Sequence, residues 1–163
     1  FLDLSQFVTL ASTPVIIKEE VRFVNAQERN QKQQALLAFV ELWKRAWESD
    51  DVEHYLSFYS EKFRTGGSNY KSWAKRKRVL NKRIEQRKIH ISDLSILESK
   101  NVVHVRFVQD YSSSNITDIG MKELFITQEN GQYKIISENW SRLKSPQPAT
   151  LQYAYQDSEE SAL

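Results

Sequence analysis

Apolar residues recur three and four positions apart in three stretches of the chain, which predicts three amphipathic helices. The longest apolar stripe runs from Ala35 to Trp47 and lies opposite charged residues. The segment Ser49-Asp50-Asp51 interrupts this helix and supplies caps for a second one. A third helix is predicted over about residues 70–87, capped by Ser68 or Asn69. The sparse apolar side of that third helix consists of Trp73, Val79, Leu80 and Ile84.

The second half of the chain alternates between apolar and polar residues, as half-buried strands do. Four strands are predicted, at about 88–98, 101–112, 117–128 and 132–140. Asn130-Gly131 is typical of a two-residue hairpin turn between the last two strands. Helices followed by a meander of strands indicate the α+β class.

The remaining segments divide the chain into four parts. Residues 1–22 predict a helix and one strand that cannot bury themselves, so we expect them to belong to another domain. Residues 23–34 are polar and form either a linker or the exposed start of the first helix. The main domain is expected at 35–141, and the proline-containing, acidic residues 142–163 are expected to form a loose tail.

Composition excludes several kinds of site. The 163 residues, 40% of them hydrophobic, suffice for one domain with a core. The absence of cysteine excludes a thiol nucleophile or a thiolate zinc site, and the three histidines lack metal-ligand spacing. We therefore expect no metal and no cofactor. No apolar run approaches the roughly 20 residues that a membrane-spanning helix needs.

Positive charge is concentrated in residues 71–88, which contain nine basic residues and one acid. A solvated helix face is the simpler interpretation, and an anionic glycan, lipid surface or protein is the alternative. The segment contains one aromatic residue, Trp73, and no nucleic-acid-binding motif accompanies it, so we expect no nucleic-acid partner.

A polar end to an otherwise apolar strand face is the main sign of a pocket. In the strand from Val103 to Tyr111, the odd positions are apolar up to Phe107 and then become Gln109 and Tyr111. This face of the strand either leaves the core towards an edge of the sheet or lines a polar pocket. On the next strand Lys122 shares a face with apolar residues, so it needs a partner, a ligand or a path to the rim.

The order of elements, with Trp43, Trp47, Asp51, Tyr55 and Tyr59 spaced four residues apart, resembles the nuclear transport factor 2-like (SnoaL-like) cone fold. That resemblance implies three helices packed on a curved, mostly antiparallel sheet. The segments AWESDDVEHYLSFYSEKF (46–63), VRFVQDYSS (105–113) and MKELFITQENGQYKIISENW (121–140) look more narrowly like the cone domain of bacterial L,D-transpeptidase-family proteins, which include L,D-carboxypeptidases.

The segment FVTLASTPVIIKEEV (7–21) is similar to the end of the catalytic (YkuD-type) domain of the same family. The resemblance implies a periplasmic or envelope location, an upstream catalytic domain that carries the catalytic cysteine and histidine, and peptidoglycan as the target. It assigns no catalytic residue to this chain.

Under this resemblance the chain is a non-catalytic accessory domain that binds a peptidoglycan fragment, or another carboxylate-bearing ligand, or mediates homodimerisation. The pocket of the cone fold lies between the helices and the sheet. The expected pocket residues are Tyr59, Trp73, Gln109, Tyr111 and Lys122. The alternative is a free-standing cone-fold enzyme, an isomerase or cyclase with a buried general base, for which Asp110 and Glu138 are the best acids.

Overall fold

The computed structural model of the chain describes residues 26–143. Three helices precede a four-stranded antiparallel sheet, which confirms the α+β class and the predicted packing of three helices on a curved sheet. The expected helix and strand in residues 1–22 and most of the tail at 142–163 lie outside the described residues. The elements in chain order are α1 (Ala26–Glu48), α2 (Val52–Leu56), β1 (Arg64–Thr65), β2 (Ser68–Asn69), α3 (Tyr70–Asn81), β3 (Lys88–Glu98), β4 (Val103–Ser112), β5 (Thr117–Glu129) and β6 (Gln132–Arg142).

Helix α1 begins at Ala26, so residues 26–34 form the start of the helix rather than a linker. Its buried residues, Leu36, Val40, Trp43 and Ala46, are three or four positions apart and form the stripe that faces the sheet. Helix α2 follows after a short break. Asp51 caps it, because the Asp51 side chain accepts a hydrogen bond from the backbone N–H of His54.

Helix α3 differs from its prediction in length and in orientation. Asn69 caps its start, as predicted, but the helix ends at Asn81 instead of 87. Its inward side consists of Trp73, Ala74 and the half-buried Lys77. The predicted apolar side is confirmed for Trp73 but is wrong for Val79 and Leu80, which are 45% and 46% exposed. Helical geometry accounts for Lys77, which lies one turn after Trp73, and for Val79, which points about 120° away from Trp73.

The sheet has the order β3-β4-β5-β6 and is antiparallel throughout. Asn130 and Gly131 connect β5 to β6 with positive φ angles of 52° and 77°, as the predicted turn requires. The register shifts between Ser92 and Ser95 in β3, where Asp93 has a φ angle of 51°. A second shift interrupts the β5–β6 pairing after Phe125. Such irregularities bend strands and help the sheet to curve around the helices.

The outer edge of β6 is partly covered by the chain that follows α2. Ser60 donates its backbone N–H to the carbonyl of Ile135 at 2.9 Å, and Ile135 donates to the carbonyl of Phe58 at 2.9 Å. The Thr65 hydroxyl on β1 donates to the backbone carbonyl of Glu138 at 2.8 Å. These bonds fix the end of β6 against the helical layer.

The core lies between α1 and the inner face of the sheet. Trp43 is fully buried and contacts Phe107 of β4 edge-on, with 6.0 Å between ring centroids. Its indole N–H also donates to the hydroxyl of Tyr59 at 3.0 Å. Trp43 thus combines a large buried surface with a hydrogen bond to a buried group.

We expect Trp43→Ala to lower the free energy of unfolding by about 3–5 kcal/mol, because it leaves a large cavity. Leu42→Ala, at the neighbouring exposed position of the same helix, is the matched control and should change it by less than about 0.5 kcal/mol. Denaturant unfolding measures both values. Equal losses in the two variants would contradict the inward orientation of Trp43.

Candidate functional site

The inner face of the sheet becomes polar towards one end, as the strand pattern indicated. On β4 the inward row continues from Phe107 to Gln109 and Tyr111, and on β5 it contains Lys122. These side chains line an open cavity of about 330 Å³, which we call the main cavity. Its other lining residues are Trp47, Lys77, Ile116, Asp118, Glu138 and Trp140.

A buried ion pair forms the floor of the main cavity. Lys122 Nζ lies 3.1 Å from Glu138 Oε2. Both residues are almost inaccessible to solvent, with 5% and 7% of their surfaces exposed. Leu124 is the residue directly opposite Glu138, so the pair is diagonal across β5 and β6. Glu138 is therefore the partner that Lys122 needs on a core-facing row.

Three aromatic side chains connect Glu138 to the helices. The Tyr59 hydroxyl donates to Glu138 Oε2 at 3.0 Å and accepts from the indole N–H of Trp43. The Tyr55 hydroxyl lies 2.8 Å from that of Tyr59. Because the single hydroxyl proton of Tyr59 is directed at Glu138, Tyr55 is the donor in this second contact. The buried carboxylate is thus held from both layers of the fold.

The charges around Glu138 keep it ionised. Burial raises its pKa, but the ammonium groups of Lys122 and Lys77 and the hydrogen bonds from Lys122 and Tyr59 outweigh burial and lower the pKa below 4.5. Glu138 is therefore a carboxylate at neutral pH.

Lys77 brings a second ammonium group to the main cavity. Its Nζ lies 5.4 Å from the ring centroid of Trp47 and 5.7 Å from that of Trp73. Burial lowers the pKa of Lys77; Glu138 opposes this effect, whereas the positive charge of Lys122 lowers the pKa further. Two ammonium groups thus share one buried carboxylate.

The rim adds one acid that is already paired. Asp118 accepts two hydrogen bonds from the guanidinium of Arg142, both at 2.8 Å. Arg142 neutralises the Asp118 carboxylate, and Glu138 neutralises one of the two lysine ammonium groups. The other ammonium group is the uncompensated charge of the main cavity. The arrangement favours an anionic ligand.

Gln109 supplies an uncharged polar group without a partner. The residue is buried, and its Oε1 atom has no hydrogen-bond partner among the described residues. A buried amide without a partner is unfavourable, so a donor from a ligand would stabilise it. Tyr111 lies beside it and contacts Trp47, with 5.5 Å between ring centroids.

The structure separates the five predicted pocket residues into two groups. Gln109, Tyr111 and Lys122 line the main cavity. Tyr59 and Trp73 lie in the core and do not line it. Tyr59 contacts the cavity only through its hydrogen bond to Glu138, and Trp73 lies beneath Lys77.

Sequence reasoning missed Lys77 and Trp140. Lys77 was assigned to a solvated basic helix, although its position one turn after Trp73 was a usable signal. Trp140 was given no role by its sequence pattern; it is partly exposed and packs over Gly120. A Cβ atom at Gly120 would lie 2.7 Å from the Trp140 ring and 2.4 Å from the Ser141 carbonyl, so glycine allows this close approach.

Neither a metal centre nor a spanning helix is evident between residues 26 and 143. That region contains no group of three or more histidine, aspartate or glutamate side chains that could hold a metal ion. None of its helices is both long and apolar enough to cross a membrane.

Comparison with known proteins gives a family and several similar folds. Residues 35–139 match the model of the Cds6 C-terminal NTF2-like domain. Bd1075 of Bdellovibrio bacteriovorus is 36% identical, with a TM-score of 0.71, over 77% of this chain and 46% of that protein. Pgp2 of Campylobacter jejuni, a helical cell shape determining protein, is 32% identical, with a TM-score of 0.59, over 64% of this chain and 39% of that one.

The chain therefore spans less than half the length of these two proteins. An NTF2-like protein from Pseudomonas putida has a TM-score of 0.62 over 73% of this chain at 9% identity, which shows the fold alone. No curated protein matches.

Lys122→Met should lower the free energy of unfolding by about 3–5 kcal/mol at neutral pH, because it leaves Glu138 without its closest cation. Glu138 has a lowered pKa in the folded protein, so its stabilising contribution is present above pH 4.5 and is lost as the pH falls through the folded pKa. The deficit of the variant should therefore shrink in acid. Denaturant unfolding across this pH range measures it.

Two further variants make this test specific. Lys88→Met, at an exposed strand position, is the control and should change stability by less than about 0.5 kcal/mol. The double variant Lys122→Met/Glu138→Gln should recover most of the loss, because the buried carboxylate that lost its closest cation is now neutral and the new amide still accepts from Tyr59. A double variant as unstable as the single one would show that the two side chains are not coupled.

Proposed function

The chain belongs to the family of Cds6 C-terminal NTF2-like domains, and we propose that it is a non-catalytic accessory domain that binds a carboxylate-bearing fragment of peptidoglycan. One observation carries this proposal. The main cavity contains two ammonium groups, those of Lys77 and Lys122, and one buried carboxylate that they share. A ligand carboxylate would complete the charge balance.

The walls of the main cavity suit a short peptide that ends in a carboxylate. The carboxylate would contact Lys77 and Lys122 in partly dry surroundings, where a charged hydrogen bond is stronger than at the surface. The amide of Gln109 would bond to a neighbouring peptide group of the ligand. Trp47 and Trp140 would contribute ring surface. Because few groups converge, we expect dissociation constants of about a millimolar to a micromolar.

The cellular setting of this proposal follows from similarity. Pgp2 is a helical cell shape determining protein, and this chain is similar to part of it. The likeness of residues 7–21 to the end of an L,D-transpeptidase-type catalytic domain supports an upstream partner domain that modifies peptidoglycan. We therefore propose a periplasmic location and a role in holding substrate for that upstream domain.

A cone-fold enzyme is the second candidate, and the state of Glu138 weakens it. Glu138 is the most buried acid of the main cavity and would be its general base. A general base works best when its pKa lies near the operating pH. Lys122 and Lys77 instead lower the pKa of Glu138, so the carboxylate is a weak base. This charge arrangement favours binding over catalysis.

Titration of the labelled chain with a muropeptide that carries a tetrapeptide stem should shift NMR signals of Lys122, Trp140 and Gln109. Lys77→Met should weaken binding about tenfold or more, because it removes one of two charged contacts. Lys75→Met, an exposed lysine of the same helix, is the matched control and should bind normally.

Other outcomes of this titration favour the rival functions. Shifts confined to exposed residues of α3, together with a concentration-dependent dimer in ultracentrifugation, would replace the pocket with a homodimer interface. Release of the terminal residue from the muropeptide during the titration would instead favour an enzyme.

Binding should also take up protons in the pH range where Lys77 titrates. The pKa of Lys77 lies below 10.5 in the ligand-free chain because of burial and of Lys122. A bound carboxylate would raise that pKa, so the affinity should be constant while Lys77 is protonated and the ligand carboxylate is ionised, and fall as the pH rises through the pKa of the ligand-free state. Calorimetry in two buffers with different ionisation enthalpies measures the proton uptake. The uptake should vanish in Lys77→Met, and uptake that persists there would assign the proton to another group.

A further inference from the structure

A second, smaller cavity lies behind the main cavity, among the three helices. Its volume is about 120 Å³, and we call it the helical cavity. At roughly 30 Å³ per water molecule, it has room for about four waters or for one carboxylate-sized group. The two cavities share three lining residues: Trp47, Lys77 and Tyr111. These three side chains therefore form part of the wall between the two cavities.

Arg87 gives the helical cavity a cation that is incompletely paired. Its side chain is 3% exposed, and its Nη2 donates to the carbonyls of Asn81 at 3.2 Å and Ile84 at 2.8 Å. Its Nη1 has no hydrogen-bond partner among the described residues. The nearest approach of a carboxylate is that of Asp50 Oδ1 at 3.9 Å, from a side chain that is 92% exposed. A buried guanidinium N–H without a partner is unfavourable, which points to a missing acceptor.

The charges and walls of the helical cavity select the kind of acceptor. Among the described residues, its lining contains two cations, Arg87 and Lys77, and no acidic side chain. Val52, Leu80 and Ile84 make much of the wall apolar. Phosphate and sulfate carry more charge than a carboxylate and lose more hydration on entering such a space. A carboxylate on a short apolar stem fits both the charge and the walls.

We propose that the helical cavity is a second carboxylate subsite, so that the ligand of this domain carries two carboxylates, one bound in each cavity. Arg87 Nη1 holds the carboxylate in the helical cavity, while Lys77 and Lys122 hold the one in the main cavity. The inference rests on the proposed function, because it takes the main cavity as the first carboxylate site. It adds a selectivity for diacids that one ammonium pair does not provide.

The test uses the full chain and a series of α,ω-dicarboxylates of increasing length, each paired with its monomethyl ester. The ester has the same stem but only one carboxylate. At the chain length that spans both cavities, the diacid should bind about tenfold or more tightly than its ester. Arg87 also bonds to two backbone carbonyls and its replacement could unfold the chain, so the main variant leaves it in place. Leu80→Trp fills the helical cavity from a half-exposed position and should reduce the diacid to the affinity of its ester.

Val79→Trp is the matched control, since Val79 is equally exposed but does not line the helical cavity. This variant should keep the preference for the diacid. Diacid and ester of equal affinity at every length would overturn the second subsite and leave the main cavity as a monocarboxylate site. Equal diacid preference in Leu80→Trp and Val79→Trp would overturn the second subsite as well. Failure of both ligands to bind would overturn the proposed function, and the second subsite with it.

Discussion

The buried contact between Lys122 and Glu138 is the interaction on which both the fold and the site depend. It lies where β5, β6 and the helical layer meet, because Glu138 also accepts a hydrogen bond from Tyr59. Tyr59 in turn accepts from Trp43, so one chain of polar contacts runs from the sheet to the centre of α1. Burying a carboxylate costs free energy, and the ion pair with Lys122 and the hydrogen-bonded chain through Tyr59 offset this cost.

The charges that line the main cavity lower the stability of the ligand-free domain. Lys77 and Lys122 repel each other, and this repulsion together with burial lowers the pKa of Lys77. Folding therefore places two cations closer together than stability alone would favour. Such locally unfavourable charge is common where a site is prepared for an opposite charge. The aromatic rings of Trp47 and Trp73 offset part of the repulsion, because each lies within 6 Å of an ammonium group.

The sequence predicted those features that depend on local spacing. The four strands, the Asn69 cap and the Asn130-Gly131 turn each follow from neighbouring residues, and the alternation along β4 predicted that Gln109 and Tyr111 face inward with Phe107. Lys122 was recognised as a charge in need of a partner because its row was otherwise apolar.

Features that depend on tertiary packing could not be predicted in the same way. Helix α3 has few apolar residues, so periodicity placed Lys77 on the side of Trp73 but could not show that this side of the helix faces inward. The neighbouring elements decide this, through the packing of Trp73 on Tyr59 and Phe63. Likewise, Glu138 and Tyr59 are separated by 79 positions, and only the fold brings them together.

The two margins of the sheet have a consequence for how copies of the domain can meet. The free side of β6 is occupied at Ile135 by the segment around Ser60, and β3 is interrupted by the irregularity at Asp93. Within residues 26–143, neither margin is a long, straight row of unpaired peptide groups, which is the template on which strands from separate molecules stack into fibrils. Such margins disfavour the growth of crowded molecules into a continuous sheet, so that contacts between copies would have to use the side-chain faces, where charge and shape discriminate between partners.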